Sequence, residues 1–430
     1  MLSKTRPVQF KKQKIHAPLA RPKRSARNDE TKHIVVPHMD CGAEIALYYG
    51  FTPTDSPEIK RSDLEQSKAL LEGDFVEDEG GEEGATLPLH VEEKVAMLRT
   101  YFEKELFTSP HPAMFHFKGS FKGSLTRKAN AYSRYCDLEI IGTDTSIAEA
   151  TLLRTALAIL EAEGHTNLHI EINSIGDKDA VFKFTRELTN YYRKNIESLP
   201  PHCRQTFKKD VFELLSCNNP KCHELRDAAP KSMSFLSEAS RDHFREVLEH
   251  LETFNVPYTI NHSLVGNRRY TSETIFEIVS EADSVAASKK KILALGVRYD
   301  GLSKKIGFKK EVAAAGISLF LKKPSEVKRG THTIKRPTIF FIQLGFEAKL
   351  MSFTIIDTLR QHNIQVYQSL GRDKLAMQLS MAEKHPITHT VLIGKKEALE
   401  RSVIVRDMKT RSQDIIMITE LPGYLKKLKV

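Results

Sequence analysis

A basic, apolar-poor run, "LKKPSEVKRGTHTIKRP" (321–337), splits the chain into two parts with different hydrophobic periods. Its prolines and glycine, with little to bury, mark residues 324–337 as a linker. Beyond it, "TIFFIQLG", "IQVYQSL", "THTVLIG" and "SVIVRDM" read as strands, and "EAKLMSFTIIDTLRQH" and "KLAMQLSMAEK" as helices. That alternation predicts a small α/β domain with a parallel or mixed sheet over residues 338–430. Before the linker, "CDLEIIG", "LHIEINSIGD", "PYTINHSLVG", "YTSETIFEIVS" and "KKKILALGV" read as strands of an antiparallel sheet. Flanking helices are expected at "SIAEATLLRTALAILEAEG", "DAVFKFTRELTNYYRKNIESL" and "SRDHFREVLEHLETFN". Ser146 and Glu149 stand at capping-box spacing, and Ser240 is placed to cap the third helix. The fold class is therefore α+β, with a first domain over residues 41–323.

Charge is unevenly spread. The formal net charge of +10 points to a polyanionic partner, of which nucleic acid is the commonest. Nine basic residues precede the first acid, Asp29, and Pro7, Pro18 and Pro22 break the run. Residues 1–40 thus read as a disordered basic arm, too proline-interrupted for an amphipathic organellar leader. Residues 73–84, "GDFVEDEGGEEG", form an acidic surface loop of opposite sign. No apolar run approaches the ~20 residues that cross a bilayer. Five scattered cysteines, without a secretory signal, suit a reducing, cytoplasmic setting. "CNNPKCH" brings Cys217, Cys222 and His223 close, with Cys203 upstream. The four-residue gap is loose and no second paired set follows, so the spacing favours ordinary thiols and no metal ligand is assigned.

Four blocks in order carry a family resemblance: "EINSIGD", "FLSEASRDHFREVLEHLETFNVPYTIN", "RYDGL" and "VIVRDMKTRSQDI". On these the chain resembles histidyl-tRNA synthetase, a class II aminoacyl-tRNA synthetase, from about Ala43 onward. The resemblance implies a class II antiparallel catalytic core, a C-terminal anticodon-binding domain and a homodimer. It also implies histidine activation with ATP and Mg²⁺, then transfer to tRNA.

Adenylate formation drives a carboxylate onto the α-phosphate, and the family steadies that charge with three arginines, whose planar forks grip phosphate at two points. Here the Phe-Arg-x-Glu of motif 2 corresponds to "FKGS", placing Lys122 as an ATP ligand. The Gly-Leu-Glu-Arg of motif 3 corresponds to "FLKK", placing Lys323 likewise and Phe320 on a glycine position. The third arginine falls on Gly266 in "LVGNRRYTSETIFEIVS". If that stretch is a strand, Arg268 faces the same way two residues along and is a substitute catalytic cation. In the amino-acid pocket, Arg-Pro-Glu-Gly-Thr corresponds to "HVEEK": Glu92 keeps the ammonium-binding carboxylate and Lys94 takes the threonine place. Tyr135 takes a glutamine place and Thr271 a tyrosine place. Glu139, which would meet the imidazole, is kept, as are Arg298, Tyr299 and Asp300, so the histidine-binding set is Glu92, Glu139, Arg298, Tyr299 and Asp300.

In the C-terminal domain "RDMKTRSQ" offers Arg406, Lys409, Arg411 and Gln413 to phosphates and base edges. Arg411 replaces a glycine of the family. Losing one preorganised charged donor from a developing-anion site costs about 2.7–4 kcal/mol, so replacing three predicts a drop of several powers of ten. The leading expectation is a histidyl-tRNA synthetase-like protein that binds tRNA or related RNA with histidine activation weak or lost. The alternatives are an active histidine–tRNA ligase with relocated cations, using ATP and Mg²⁺, and a regulatory subunit of histidine biosynthesis.

Overall fold

The computed structural model describes residues 33–70, 91–108, 112–118, 133–217, 219–267, 269–280, 290–322, 328–335, 337–371 and 374–428. The acidic loop at 73–84 and the arm before residue 33 lie outside the described residues. The chain opens with strand β1 (His33–Met39), helix α1 (Cys41–Tyr48), β2 (Thr52–Thr54), α2 (Arg61–Leu70) and α3 (Val91–Glu103). Strands β3 (Ala113–Lys118) and β4 (Ser133–Ile141) follow, then α4 (Ile147–Ala162) and β5 (Leu168–Gly176). A helical segment comprises α5 (Lys178–Lys194), α6 (Pro201–Lys209), α7 (Pro220–Ala228) and α8 (Glu238–Glu252). The chain then returns to the sheet through β6 (Tyr258–Ile260), β7 (Ser272–Ser280), β8 (Lys291–Arg298), the short α9 (Leu302–Lys305) and β9 (Ala314–Lys322).

These strands form an eight-stranded sheet in the order β2-β3-β4-β9-β8-β7-β5-β6. The six inner strands pair antiparallel throughout, and only the edge strands β2 and β6 run parallel to their neighbours. Helix α4 is buried over nearly its whole circumference, as its almost continuous apolar sequence demands. The sheet lies on one side of it, with α1 and α8 against the others.

The second domain holds β11 (Ile339–Gln343), α10 (Phe346–Gln361), β12 (Tyr367–Gln368), α11 (Leu375–Ala382), β13 (His389–Ile393), α12 (Lys395–Glu400), β14 (Ser402–Asp407), β15 (Gln413–Met417) and α13 (Leu421–Lys427). Its mixed sheet runs β12-β11-β13-β14-β15, parallel through β13 and antiparallel beyond. The domains meet where Tyr49, the residue that caps the end of α1, donates to Asp357 of α10. Arg154 Nε of α4 donates to the same carboxylate at 2.8 Å. Beside them His250 is ringed by Phe346 and Phe353, both edge-on.

Four local expectations are corrected. The arm and the linker are not wholly irregular: β1 pairs antiparallel with β10 (Lys328–Lys335) in a two-stranded ribbon. Their prolines, lysines and histidines give no apolar alternation from which a strand could be read. Ser146 does not make a capping box. Its backbone is already helical (φ −55°, ψ −23°), and its hydroxyl donates instead to Glu246 at 2.7 Å. The cap of α8 is Ser237, not Ser240: Ser237 is extended (ψ 166°) and its Oγ accepts from Ser240 N at 3.2 Å. Finally, residues 261–267 and 269–271 are not strand. Tyr270 N and Thr271 N both donate to Asn267 O, closing a turn before β7 begins at Ser272.

Candidate functional site

Two buried polar clusters sit on the sheet between α3 and α4. The first is built on Glu139, the inward residue of β4, only 1% exposed. Its cross-strand partner on β9 is Gly316, and a Cβ there would come within 2.2 Å of the carboxylate. Glycine is therefore required, because the Glu139 side chain lies folded over the neighbouring backbone. From α3, Lys94 reaches down and its Nζ donates to Glu139 Oε1. From the end of β8, Tyr299 Oη donates to Glu139 Oε2 at 2.5 Å. The Lys94 ammonium also stands 5.5 Å from the centre of the Tyr299 ring, a cation–π distance. Lys94 is 4% exposed and Tyr299 not at all, so the carboxylate is closed in by its own chain. Burial raises the Glu139 carboxyl, and Lys94 and Tyr299 act against it. Burial, with Glu139 beside it, keeps the Tyr299 phenol well above its usual value.

The second cluster is centred on Arg298, which is fully buried. Its Nε and Nη2 donate to the two oxygens of Glu149 at 2.7 and 2.6 Å, a bidentate fork. The remaining hydrogens go to Thr143 O at 3.1 Å, Thr145 O at 3.2 Å and Asp300 at 3.3 Å. All five guanidinium donors are engaged. Glu149 also accepts from Thr274 Oγ1 at 2.6 Å and meets His243 Nε2 at 2.8 Å. Burial alone would raise Glu149, but Arg298 and His243 outweigh it and hold the carboxyl well below the ordinary range. Asp300 is raised by burial against the pull of Arg298 and accepts from Ala314 N at 2.8 Å. Glu149 is thus a site residue that sequence reading assigned to a helix cap. Its burial in the middle of an apolar stripe was the available signal.

Of the predicted histidine-binding set, Glu139 and Tyr299 touch each other, and Arg298 and Asp300 touch each other. Glu92 lies in the first turn of α3, 4% exposed, with Tyr270 in its field. Phe320 and Tyr135, on the positions where the resemblance expects glycine and glutamine, are a cross-strand pair on β9 and β4. Their rings meet edge-on at 5.7 Å. Each bulky replacement thereby packs on the other. Gly266 has φ +58°, and a Cβ there would fall 2.7 Å from Ile275 and 2.9 Å from Thr271. No arginine fits that backbone as it stands. Gly266 itself lies outside any strand, just ahead of the turn that Asn267 closes with Tyr270 and Thr271, so the strand alternation assumed for this stretch does not apply at Gly266. Arg268, Lys122 and Lys323 themselves lie outside the described residues.

In the second domain the four residues expected to meet RNA are drawn together by the β14–β15 hairpin. Arg406 and Gln413 are cross-strand partners. Lys409, Arg411 and Gln413 are exposed. Asp407 organises the turn, its Oδ1 accepting from Lys409 N at 2.7 Å and Thr410 N at 2.8 Å. Arg411 closes it with φ +64°, a left-handed conformation that favours glycine. The buried Nε of Arg406 has no hydrogen-bond partner among the described residues.

A family model described as anticodon binding domain matches residues 340–428, the whole second domain with this hairpin. An antiparallel core joined to such a domain is the arrangement that the resemblance to class II synthetases implied. Within that class the chain is histidyl-tRNA synthetase-like, with histidine–tRNA ligases as its homologues over most of its length. A histidine–tRNA ligase from Dehalococcoides mccartyi is 27% identical over 398 residues, covering 90% of this chain and 93% of that protein. That of Bacillus subtilis is 26% identical over 349 residues, covering 80% and 82%. Among solved structures, apo histidyl-tRNA synthetase from S. aureus covers 89% of this chain and 92% of its own at 20% identity, with a TM-score of 0.46. Among the described residues no helix is long and apolar enough to cross a membrane.

Proposed function

We propose that this chain binds tRNA or a related RNA through its second domain and that its capacity to activate histidine is weak or lost. One observation carries the second half: the Glu139 carboxylate, the group that would meet the substrate imidazole, is already paired with the buried ammonium of Lys94. A cationic or polar substrate ring entering there has to displace an internal cation. Displacement would leave a buried ammonium without its partner, a change that costs about 3–5 kcal/mol. That penalty alone corresponds to more than a hundredfold in affinity. The ring pair of Phe320 with Tyr135, and the lack of room at Gly266, support the same reading for the nucleotide side.

The first half is supported by the hairpin. Exposed Lys409 and Arg411 can meet phosphates, and Gln413 beside Arg406 can meet a base edge. The homodimer and the cytoplasmic setting belong to the same reading, as do ATP and Mg²⁺ if activation survives. Filter binding and charging assays, run side by side on one RNA, test it. The expected result is saturable, salt-sensitive binding of transcribed histidine tRNA with no histidyl-tRNA formed. Charging at an ordinary turnover rate would favour the ligase with relocated cations. Histidine binding without RNA binding would favour a regulatory subunit.

A further inference from the structure

Outside the two buried clusters and the hairpin, the helical segment between β5 and β6 gathers three of the chain's five cysteines at one point. Cys203 lies in the first turns of α6, Cys217 in the link that leads to α7, and Cys222 within α7. Cys203 Sγ is 3.6 Å from Cys217 Sγ and 3.3 Å from Cys222 Sγ. The fourth member is His202, whose Nε2 is 3.1 Å from Cys203 Sγ. The ligand atoms of His202, Cys203 and Cys217 all lie within 4.8 Å of one another. The histidine is thus the one beside Cys203, and not His223 beside Cys222.

We propose that His202, Cys203, Cys217 and Cys222 bind a structural zinc ion. Zinc takes four sulfur and nitrogen ligands in a tetrahedron, with Zn–S near 2.3 Å and Zn–N near 2.0 Å, so its edges span roughly 3.5–3.8 Å. The three separations fall within about half an ångström of those edges, and Cys222, which touches Cys203 but stands outside the group of three, completes the tetrahedron by closing on the other ligands. The gap between Cys217 and Cys222 is four residues, the upper end of the usual zinc-ligand spacing.

A second observation points the same way. Tyr192 of α5 is fully buried in the same cluster, and its hydroxyl has no hydrogen-bond partner among the described residues. It is close enough to Cys222 and Cys217 to feel their charge. A neutral thiol is a poor acceptor, whereas a zinc-bound thiolate readily accepts a hydroxyl's proton, the outer-shell arrangement typical of metal sites. The segment also needs a staple. The part that carries the cysteines consists of two nine-residue helices and short 3-10 turns packed on α5 around a small apolar core. Units of that size are commonly stabilised by a metal. Four protein ligands leave no open position, so the role is structural. It ties α6 to α7 behind β5 and is independent of the proposed RNA binding.

The test is metal analysis of the full chain purified under reducing conditions without chelator. About one zinc per chain is expected, the stoichiometry of a single closed site. Replacement by Co²⁺ should give the intense thiolate charge-transfer and tetrahedral d–d bands of a sulfur-rich site. Cys217→Ser should lose the metal, and His202→Ala should weaken its retention against a chelator at least about tenfold. His223→Ala should change neither. If a variant fails to fold, the Co²⁺ spectrum of the unaltered chain decides. Zinc-free protein that takes up Co²⁺ without thiolate bands would overturn the proposal. So would a Cys203–Cys222 disulfide found in the native chain by mass spectrometry.

Discussion

Lys94 and Glu139 form an ion pair in which the two side chains are 5% and 1% exposed. They stand 45 residues apart in sequence and come from a helix and a strand that pack face to face. Neither is placed by local pattern, and each is explained by the other. Removing one partner of a buried pair strands the other, at a cost of about 3–5 kcal/mol. Lys94→Ala is therefore expected to lower unfolding free energy by that amount in a urea titration. The loss should grow as pH rises above the ordinary carboxylate range, because burial raises the Glu139 carboxyl and, deprived of Lys94, it holds its proton where the unfolded chain releases it. A loss below about 1 kcal/mol would mean that the pair is exposed in solution.

Arg298 and Glu149 make the opposite prediction about chemistry. With every donor of Arg298 already engaged, Arg298→Lys retains the charge but not the fork. It should destabilise the fold by several kcal/mol, on the order of what breaking a buried pair costs. RNA affinity per folded molecule should be unaltered, as read by filter binding after thermal melts. A stable variant with normal melting would show that Arg298 is free to meet a ligand.

Arg411 couples stability to binding. Its left-handed backbone costs a non-glycine residue roughly 1 kcal/mol. Arg411→Gly should therefore stabilise the chain by about that much while weakening RNA binding and reducing the salt slope by about one. Lys409→Ala should reduce the slope similarly without the gain in stability. Binding that is indifferent to both changes would remove the hairpin from the RNA surface.

The domain contact is expected to be acid-sensitive. Burial pushes His250 down to about 4, with Lys349 adding to the effect and Glu149 opposing it. Neither of its ring nitrogens has a hydrogen-bond partner among the described residues. The unfolded chain takes a proton near pH 6.5 and the folded chain does not. Stability is therefore complete above about 6.5 and falls toward 4, by roughly 2 kcal/mol at pH 5 from this group. His116 is also pushed down to about 4 by burial, with Asp40 and Asp137 opposing and Lys118 assisting, and should add a similar amount. His250→Leu should flatten half of that dependence in melts recorded from pH 7.5 to pH 5.

The fold was legible where burial imposes a period. Helix α4, apolar nearly all round, and β5, alternating into a buried run, follow directly from their residues. The strand–helix alternation of the second domain was equally plain. Misreading came where a side chain has a distant partner. Glu149 has the spacing of a cap, but Arg298, 149 positions away, claims it. Gly266 resembles a strand residue in an apolar frame, yet it has a positive φ and stands just ahead of the Asn267 turn. Strands β3 and β9 carry no clear alternation in the sequence, lying among glycines, phenylalanines and lysines. Of the candidate site, Glu139 and Tyr299 are singled out by the family resemblance, and the structure brings them into contact. The role of Lys94 is not singled out that way, because only tertiary packing shows where a lysine ends.

The central claim is that an internal cation holds the place of the substrate ring, and histidine-dependent exchange of pyrophosphate into ATP by the purified chain tests it most directly. The account predicts exchange no greater than without histidine. Robust exchange at an ordinary synthetase rate, with Lys94 intact, would contradict it.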